Sequence, residues 1–143
     1  MIRPLKATDY PELYRLQQQA YRVEADLIGA TFFPPLLQTE AALHKEQPAG
    51  YIIRLDERLV GALTVEGETI TRLLVSPDYF RQGIATQLIR HALKQQPLRV
   101  VSTAALNEPA VALYHRFGFR AVHQVRRDAI VLVTLERDDA LDT

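Results

Sequence analysis

The segment from residue 73 to 89, LLVSPDYFRQGIATQLI, constrains the fold most, because a strand-like run in it breaks at a proline and restarts as a helix. The apolar run Leu73 to Val75 has strand character, and Pro77 lacks the backbone donor that a continued strand needs. Beyond Gly83, apolar residues recur at helical spacing, at Ile84, Ala85, Leu88, Ile89, Ala92 and Leu93. The segment therefore predicts a strand, a loop and a helix with one buried face.

The first turn of this predicted helix is suited to binding an anion. The first amides of any helix lack intrahelical acceptors, and the helix dipole favours negative charge there. Gly83 and Ala85 carry almost no side chain, so a ligand can approach the main chain closely, and Arg81 adds positive charge. A phosphate group is the ligand that this arrangement favours.

Composition excludes several classes of function. The 143 residues include 17 basic and 17 acidic side chains, and a net charge of zero argues against general binding of nucleic acid or anionic membranes. Cysteine is absent, which excludes disulfides, zinc-thiolate sites and cysteine nucleophiles. The four histidines show no metal-ligand spacing, so no metal is expected. No apolar run approaches the ~18 residues of a membrane span, and the N-terminus lacks the apolar core of a signal peptide. We expect one cytoplasmic domain, residues 1–143.

Turn residues and periodicity predict the elements before this segment. A strand at residues 2 to 5 is followed by a helix that starts after Thr8 or Asp9 as its N-cap. Residues 24 to 33 read as a mobile loop, and a second helix is predicted from residue 36 to 45. Three strands, at residues 50–55, 59–65 and 69–75, then form an antiparallel meander.

The remaining elements alternate in type. Residues 99–104 form a strand, which we expect to run parallel to the strand before it because a helix connects the two. A helix from residue 108 to 117 ends at Gly118, and strands near 119–125 and 129–136 complete the fold. Residues 138 to 142 are predicted as a frayed acidic tail. The pattern indicates a single α/β domain.

Two common phosphate-binding motifs do not fit this segment. A P-loop needs Lys and Ser or Thr after its last glycine, but Gly83 is followed by Ile84, Ala85 and Thr86. A dinucleotide-binding fold needs G-x-G-x-x-G and an acidic residue at the end of the next strand, and the strand ending at Ala104 has none. What remains is a diphosphate bound by backbone amides, with a second anchor further along the chain.

That anchor is the segment from Asn107 to Phe119, and with it the chain resembles the GCN5-related N-acetyltransferase (GNAT) superfamily. The family's Q/R-x-x-G-x-G/A loop corresponds to residues 80–85, FRQGIA, and its N-x-x-A-x-x-L-Y-x-x-x-G-F motif to residues 107–119. The order of elements from residue 2 to 136 also fits. One departure is Phe80, which stands where the family has Gln or Arg, so that Arg81 supplies the positive charge of the loop.

The resemblance implies a fold and a cosubstrate. It implies a mixed sheet of six to seven strands with helices on both faces, an antiparallel N-terminal meander and two parallel strands that splay apart in the middle. The cosubstrate implied is acetyl-CoA, with its pantetheine arm between the splayed strands near the main chain of Leu73 and Val75. The resemblance implies that acetyl-CoA is bound by the following further residues: Arg81, Gln82, Gly83, Ile84, Ala85, Thr86, Asn107 and Tyr114.

Tyr114 is also the residue implied to act in catalysis, by donating a proton or hydrogen bond to the departing CoA thiolate. The alternative is an ordinary packed tyrosine. For Asn107 the alternative to a bond with the cosubstrate or backbone is a plain helix cap, and the two roles are compatible. By the same resemblance Glu24 and Asp26 border the acceptor site, where two carboxylates would attract a cationic amine; the alternative is that both are solvated loop side chains. Tyr21 and Phe33 either line the same pocket or pack in the core. Glu68 lies about 16 Å along an extended strand from Leu73, so it is not expected to take a proton directly, and a chain of water molecules is the alternative route.

The sequence thus predicts an acetyl-CoA-dependent N-acetyltransferase that works by direct attack in a ternary complex, since no cysteine nucleophile exists. The acceptor is a small-molecule amine or a peptide or protein amine, and neither nucleic acid nor membrane is an expected partner. Two alternatives remain open: a non-catalytic acyl-CoA-binding or sensor domain, and a protein-interaction subunit with the same fold. A homodimer is compatible with each of them.

Overall fold

The structure, a computed structural model, describes residues 2–138 and contains one mixed sheet with helices packed on it. The described α-helices are α1 (Tyr10–Leu27), α2 (Glu40–Glu46), α3 (Ile84–Gln95) and α4 (Glu108–Arg116). The strands are β1 (Ile2–Pro4), β2 (Ala49–Leu55), β3 (Arg58–Glu66), β4 (Thr69–Val75), β5 (Val100–Ala104), β6 (Phe119–Arg127) and β7 (Ile130–Arg137). Short 3-10 turns cover Ala7–Asp9, Pro34–Leu37 and Pro77–Tyr79. Of the predicted acidic tail, all but Asp138 lies outside the described residues.

The seven strands are arranged in the order β1-β2-β3-β4-β5-β7-β6. Strands β1 to β4 form a continuous antiparallel series, which confirms the predicted meander. Strand β5 is parallel to β4, as the connection through α3 requires, and antiparallel to β7. The mixed sheet expected from the sequence is therefore confirmed, with seven strands.

The two parallel strands at the centre of the sheet separate soon after they begin. They pair only at Thr69 with Val100 and at Ile70 with Val101, whereas β5 pairs with β7 along its whole length. Beyond Ile70 the chain of β4 therefore continues with β3 on one side and a gap on the other. The splay implied by the resemblance is present.

Helices cover both faces of the sheet. Neighbouring residues of one strand point to opposite faces, so Ile52 packs with the apolar side of α1 and α2, while Ile53 packs with α3 and α4. The predicted apolar face of α3 is buried in the second of these layers, at Ile84, Leu88, Ile89 and Ala92. The burial of this face fixes the position of the loop that precedes α3.

The predicted loop from residue 24 to 33 is partly wrong, because α1 continues through Leu27. Ala25 is buried in this extra turn, and no breaker occurs until Gly29, which has a φ of 70°. Glu24 and Asp26 therefore lie on the last turn of a helix, which fixes the direction of their side chains.

The predicted second helix is shorter than expected. Residues 34–37 form a 3-10 turn, and α2 begins only at Glu40. The reason is Thr39, whose Oγ1 accepts a hydrogen bond of 3.1 Å from the Ala42 amide and caps the helix.

The described helices include none that is long and apolar enough to cross a membrane.

Candidate active site

The junction between β4 and α3 presents backbone amides at the surface. Gly83 is the N-cap of α3 with a φ of 78°, and Arg81 before it has a φ of 65°. The Gln87 amide donates to the Gly83 carbonyl at 3.0 Å, so the amides ahead of Gln87 in this turn lack intrahelical acceptors. A β-carbon at Gly83 would have no atom within 4 Å beyond its chain neighbours. An anion from solvent therefore has a clear approach to these amides.

The side chains of this loop differ in what they contribute. Arg81 and Gln82 are exposed, as is Phe80, so the positive charge of Arg81 faces solvent beside the open amides. Ile84 is buried in the core and offers a ligand its amide alone. Ala85 and Thr86 are half-buried. The predicted phosphate loop is thus accessible to solvent, and Ile84 anchors it in the core.

The free edge of β4 runs from this loop toward the centre of the sheet. The Ser76 amide donates to the Val60 carbonyl at 2.8 Å, and antiparallel pairs alternate in which residues bond to the partner strand. Leu74 and Arg72 therefore direct their backbone groups toward β3, whereas Val75 and Leu73 direct theirs toward the gap before β5. The main-chain groups of the two predicted pantetheine-binding residues face the space where an extended ligand would lie.

A cleft of about 710 Å³ occupies this gap and continues toward α1 and α4. It brings together six of the residues predicted from the sequence, although they lie up to 93 positions apart in the chain (21 to 114). These residues are Tyr21, Glu24, Phe33, Leu73, Asn107 and Tyr114. Asp26 is exposed and does not line the cleft, so its role in substrate binding stays a prediction.

Tyr114 lies on α4 with its ring almost fully buried, at 4% exposure, and packs edge-to-face on Phe119 with ring centroids 5.8 Å apart. Burial raises the pKa of its phenol well above the usual value, and the negative charge of Glu24 and the neighbouring Tyr21 add to the effect. The hydroxyl is therefore held in its protonated form, which can donate a hydrogen bond. Packing and lining of the cleft are both observed for this residue.

Glu24 extends from the last turn of α1 into the same cleft. Burial raises the pKa of its carboxyl, and its interaction with the Asn107 side chain acts in the opposite direction. Asn107 also caps α4, since its Oδ1 accepts a hydrogen bond of 3.3 Å from the Ala110 amide. With the oxygen used by the helix, the NH₂ group of Asn107 is the part that interacts with Glu24.

Two aromatic rings close the α1 side of the cleft. Tyr21 and Phe33 contact each other edge-to-face, with centroids 6.0 Å apart, and both line the cleft. Burial raises the pKa of Tyr21 to about 12, against the influence of the nearby Arg72. Both residues therefore line the cleft and pack against each other, and their role in binding the acceptor stays a prediction.

Sequence reasoning missed three charged residues of the cleft. Arg72 is buried in β4, and Arg127 and Asp128 lie at the turn between β6 and β7. For Arg72 there was a signal, because it directly precedes three apolar residues of a predicted inner strand and a buried charge needs partners. No local pattern signals the other two, since their approach to α1 depends on how the hairpin packs.

Glu68 directly precedes β4, at the end where β4 still pairs with β5 and away from the unpaired part of the strand after Ile70. Its carboxylate is 3.1 Å from the Arg99 side chain, and its carbonyl accepts hydrogen bonds from the amides of Arg99 and Val100. This agrees with the expectation that Glu68 is too far along the strand to act directly on a substrate bound beside Leu73.

Comparison with known protein families gives one match to a family model. The model described as an acetyltransferase (GNAT) domain matches residues 42–121, which is more than half of the chain. The matched range includes the meander, the loop before α3, the end of β5 and the motif on α4.

Three curated relatives show different degrees of coverage. The UPF0157 protein YqkA of Bacillus subtilis is 34% identical over 85% of this chain, and peptidyl-lysine N-acetyltransferase YjaB of Salmonella typhimurium is 28% identical over 71%. The chain spans only 37% of the first relative and 62% of the second. The [ribosomal protein bS18]-alanine N-acetyltransferase of Escherichia coli is 27% identical over 98% of this chain and 93% of its own length.

Solved structures share the fold. Apo YjaB from Escherichia coli superposes with a TM-score of 0.75 at 20% identity and covers 95% of each chain. The PaiA N-acetyltransferase of Thermoplasma acidophilum, solved in complex with coenzyme A, gives a TM-score of 0.69 at 16% identity and covers 95% of this chain and 98% of its own. At these identities the likeness establishes the architecture.

Proposed function

This chain belongs to the GNAT acetyltransferase family, and we propose that it transfers an acetyl group from acetyl-CoA to an amine of a peptide or protein. The observation that carries the proposal is that the open amides before α3 follow the free edge of β4, and that this edge borders the cleft lined by Leu73 and the buried Tyr114. A long ligand with a phosphate end and a peptide-like arm matches that path.

The residues present fit acetyl-CoA as the cosubstrate. The amides from Gly83 to Thr86, together with Arg81, would hold the diphosphate, because charge-assisted bonds to several donors add to the weak dipole term of about 0.3–1 kcal/mol. The backbone groups of Leu73 and Val75 would bond the amides of the pantetheine arm. The lack of a protein atom near a β-carbon at Gly83 supports close contact there.

The chemistry requires no acyl-enzyme. The neutral amine attacks the thioester carbonyl, a C–N bond forms and the C–S bond breaks. The nitrogen loses one proton, and the departing CoA thiolate takes one up. Tyr114 would donate a hydrogen bond to the sulfur as negative charge develops on it, since its buried phenol stays protonated. Asn107 would hold the start of α4 and thereby the position of Tyr114.

A peptide or protein amine is proposed as the acceptor because two relatives are named for such substrates, a peptidyl lysine and the alanine of a ribosomal protein. A small-molecule amine remains the alternative. The cleft is compatible with a polypeptide end, since Phe33, Pro34 and Pro35 form one wall and the turn at Arg127 and Asp128 forms another. A cytoplasmic location, the single domain and a homodimer stay predictions.

The test is release of the CoA thiol, measured with acetyl-CoA against peptides with a free N-terminus, peptides with an internal lysine, amino acids and polyamines. We expect release with one peptide class, and a raised melting temperature with acetyl-CoA alone. A thermal shift without release across the panel would indicate an acyl-CoA sensor. Absence of both would contradict the proposal and favour an interaction subunit.

A further inference from the structure

We propose that Glu24 is the general base of this site, a catalytic residue that takes the proton from the acceptor ammonium before acetyl transfer; this inference rests on the proposed function. The carboxylate enters the cleft from the last turn of α1, while Tyr114 enters it from α4. The two groups thus reach one cleft from two different helices, and the interaction of Glu24 with Asn107, the N-cap of α4, places its carboxylate beside the helix that carries Tyr114.

The other acidic groups near the cleft are unsuited to the role. Glu68 pairs with Arg99 at the far end of β4, and Glu46 is bound by both terminal nitrogens of Arg72. Asp128, which is exposed, is the other carboxylate that lines the cleft among residues 2–138. None of the described histidines lines it. Glu24 is therefore the carboxylate best placed to meet an amine inside the cleft.

The environment of Glu24 favours proton uptake. The titratable and charged groups that line the cleft with it are Tyr21 from α1, Tyr114 from α4, Arg72 from β4, and Arg127 and Asp128 from the β6–β7 turn. Neutral polar side chains line it at Thr71, Ser102, Thr103 and Asn107. Burial makes its carboxylate a stronger base than one in water, and this is the direction that the raised pKa of Glu24 gives. The Asn107 amide holds the carboxylate in place without supplying positive charge.

The proton balance is complete without another reactant. The ammonium gives one proton to Glu24, and the neutral amine attacks the carbonyl carbon of the thioester. As the C–N bond forms and the C–S bond breaks, the nitrogen loses a second proton and the leaving thiolate gains one. Glu24 then releases its proton to water. The ordinary pKa is about 10.4 for a lysine amine and about 8 for an N-terminal amine. Both amines are therefore mostly protonated at neutral pH, and a base is needed to produce the neutral form.

The variant Glu24→Gln removes the base and keeps the shape of the side chain. It is expected to fold, and to melt at a higher temperature than the parent at pH 7, because the neutral amide avoids the cost of burying a charge. The control is Glu66→Gln, an exposed residue at the end of β3. CoA affinity, kcat and KM for the accepted amine, and the pH profile of each are measured for all three proteins.

We expect Glu24→Gln to lower kcat by about 100-fold or more, with CoA affinity changed less than about threefold. Its rate should rise steadily with pH as free amine accumulates, whereas the parent rate levels off. A Glu24→Gln protein with a raised KM, an unchanged kcat and the parent pH profile would show attraction of the cation only and overturn the inference. If the parent protein itself transfers no acetyl group, the proposed function fails first, which separates the two outcomes.

Discussion

Arg72 and Glu46 form two parallel hydrogen bonds of 2.7 Å, one from each terminal nitrogen of the guanidinium to a separate carboxylate oxygen. Arg72 is 8% exposed, and its Nε also donates to Gln17 at 2.6 Å. The pair fixes α2 to the middle of β4, one residue before the proposed pantetheine-binding edge at Leu73. Through Gln17 it also joins α1, the helix that carries Glu24.

The Arg72–Glu46 pair is expected to stabilise the fold. Glu46→Ala leaves the buried guanidinium without its carboxylate, and we expect a loss of about 2–3 kcal/mol in the free energy of unfolding. The control on the same helix is Glu40→Ala, which removes an exposed pair with His44 at 3.4 Å and should cost about 0.5 kcal/mol or less. Urea unfolding of both variants tests this, and equal losses would contradict a structural role for the Arg72–Glu46 pair.

Asp9 gives a prediction on acid stability. Its carboxylate, 3% exposed, accepts two hydrogen bonds from Arg3, at 2.9 and 2.8 Å, and one from the Lys6 amide, at 2.8 Å. It occupies the N-cap position predicted for α1 but makes no cap bond, because these partners use its oxygens. The hydrogen bond from Arg3 is the main cause that lowers the pKa of Asp9 below its ordinary 3.8.

Because the pKa of Asp9 is lowered in the folded state, its stabilisation is present above the unfolded pKa of about 3.8 and is lost as the pH falls further. Asp9→Asn should cost about 1–3 kcal/mol at pH 7, and the difference from the parent should shrink below pH 4. The exposed Asp78→Asn serves as the control. A constant difference in melting temperature from pH 7 to pH 2.5 would argue against this account.

Gly83 and Gly67 form a matched pair for testing the phosphate loop. Both have a left-handed backbone, with φ of 78° and 62°, and a β-carbon at either would meet nothing within 4 Å. Alanine at each position should therefore cost a similar amount, about 1–2 kcal/mol, of stability. We expect Gly83→Ala alone to weaken CoA binding, by about tenfold or more, because its methyl group stands where the diphosphate approaches. Calorimetric titration of both variants with CoA measures this. Equal CoA affinities of the Gly83→Ala and Gly67→Ala proteins would contradict the assignment of the phosphate loop.

Tyr114→Phe removes the hydroxyl and keeps the buried ring. We expect kcat to fall by about 100-fold, as for the loss of one hydrogen-bond donor to developing charge, while CoA affinity changes little. Because burial raises the pKa of the phenol, the loss should persist at alkaline pH. Tyr14→Phe, on α1 and outside the cleft, is the control for the substitution itself. Parent-like turnover of Tyr114→Phe would remove Tyr114 from the mechanism.

Much of the fold was predictable because its signals are local. Pro77 ends one strand, Gly118 with its φ of 91° ends α4, and apolar spacing marks the buried face of α3. The extension of α1 through Leu27 was missed because polar residues in its last turn resemble a loop when the buried contact of Ala25 is unknown. Likewise, α2 begins after its cap at Thr39 and not at residue 36, the start that Pro34 and Pro35 indicated.

The sequence by itself determined the order of the elements, the glycine-containing start of α3 and the two motifs that indicate the family, since each depends on residues close together in the chain. Only the tertiary structure decided that β4 and β5 separate after Ile70, that Glu24 meets Asn107 in one cleft, and that Arg72 finds Glu46. These contacts join residues from separate elements, and they form because helices bury their apolar faces on both sides of one sheet. No local pattern encodes which polar groups that packing brings together.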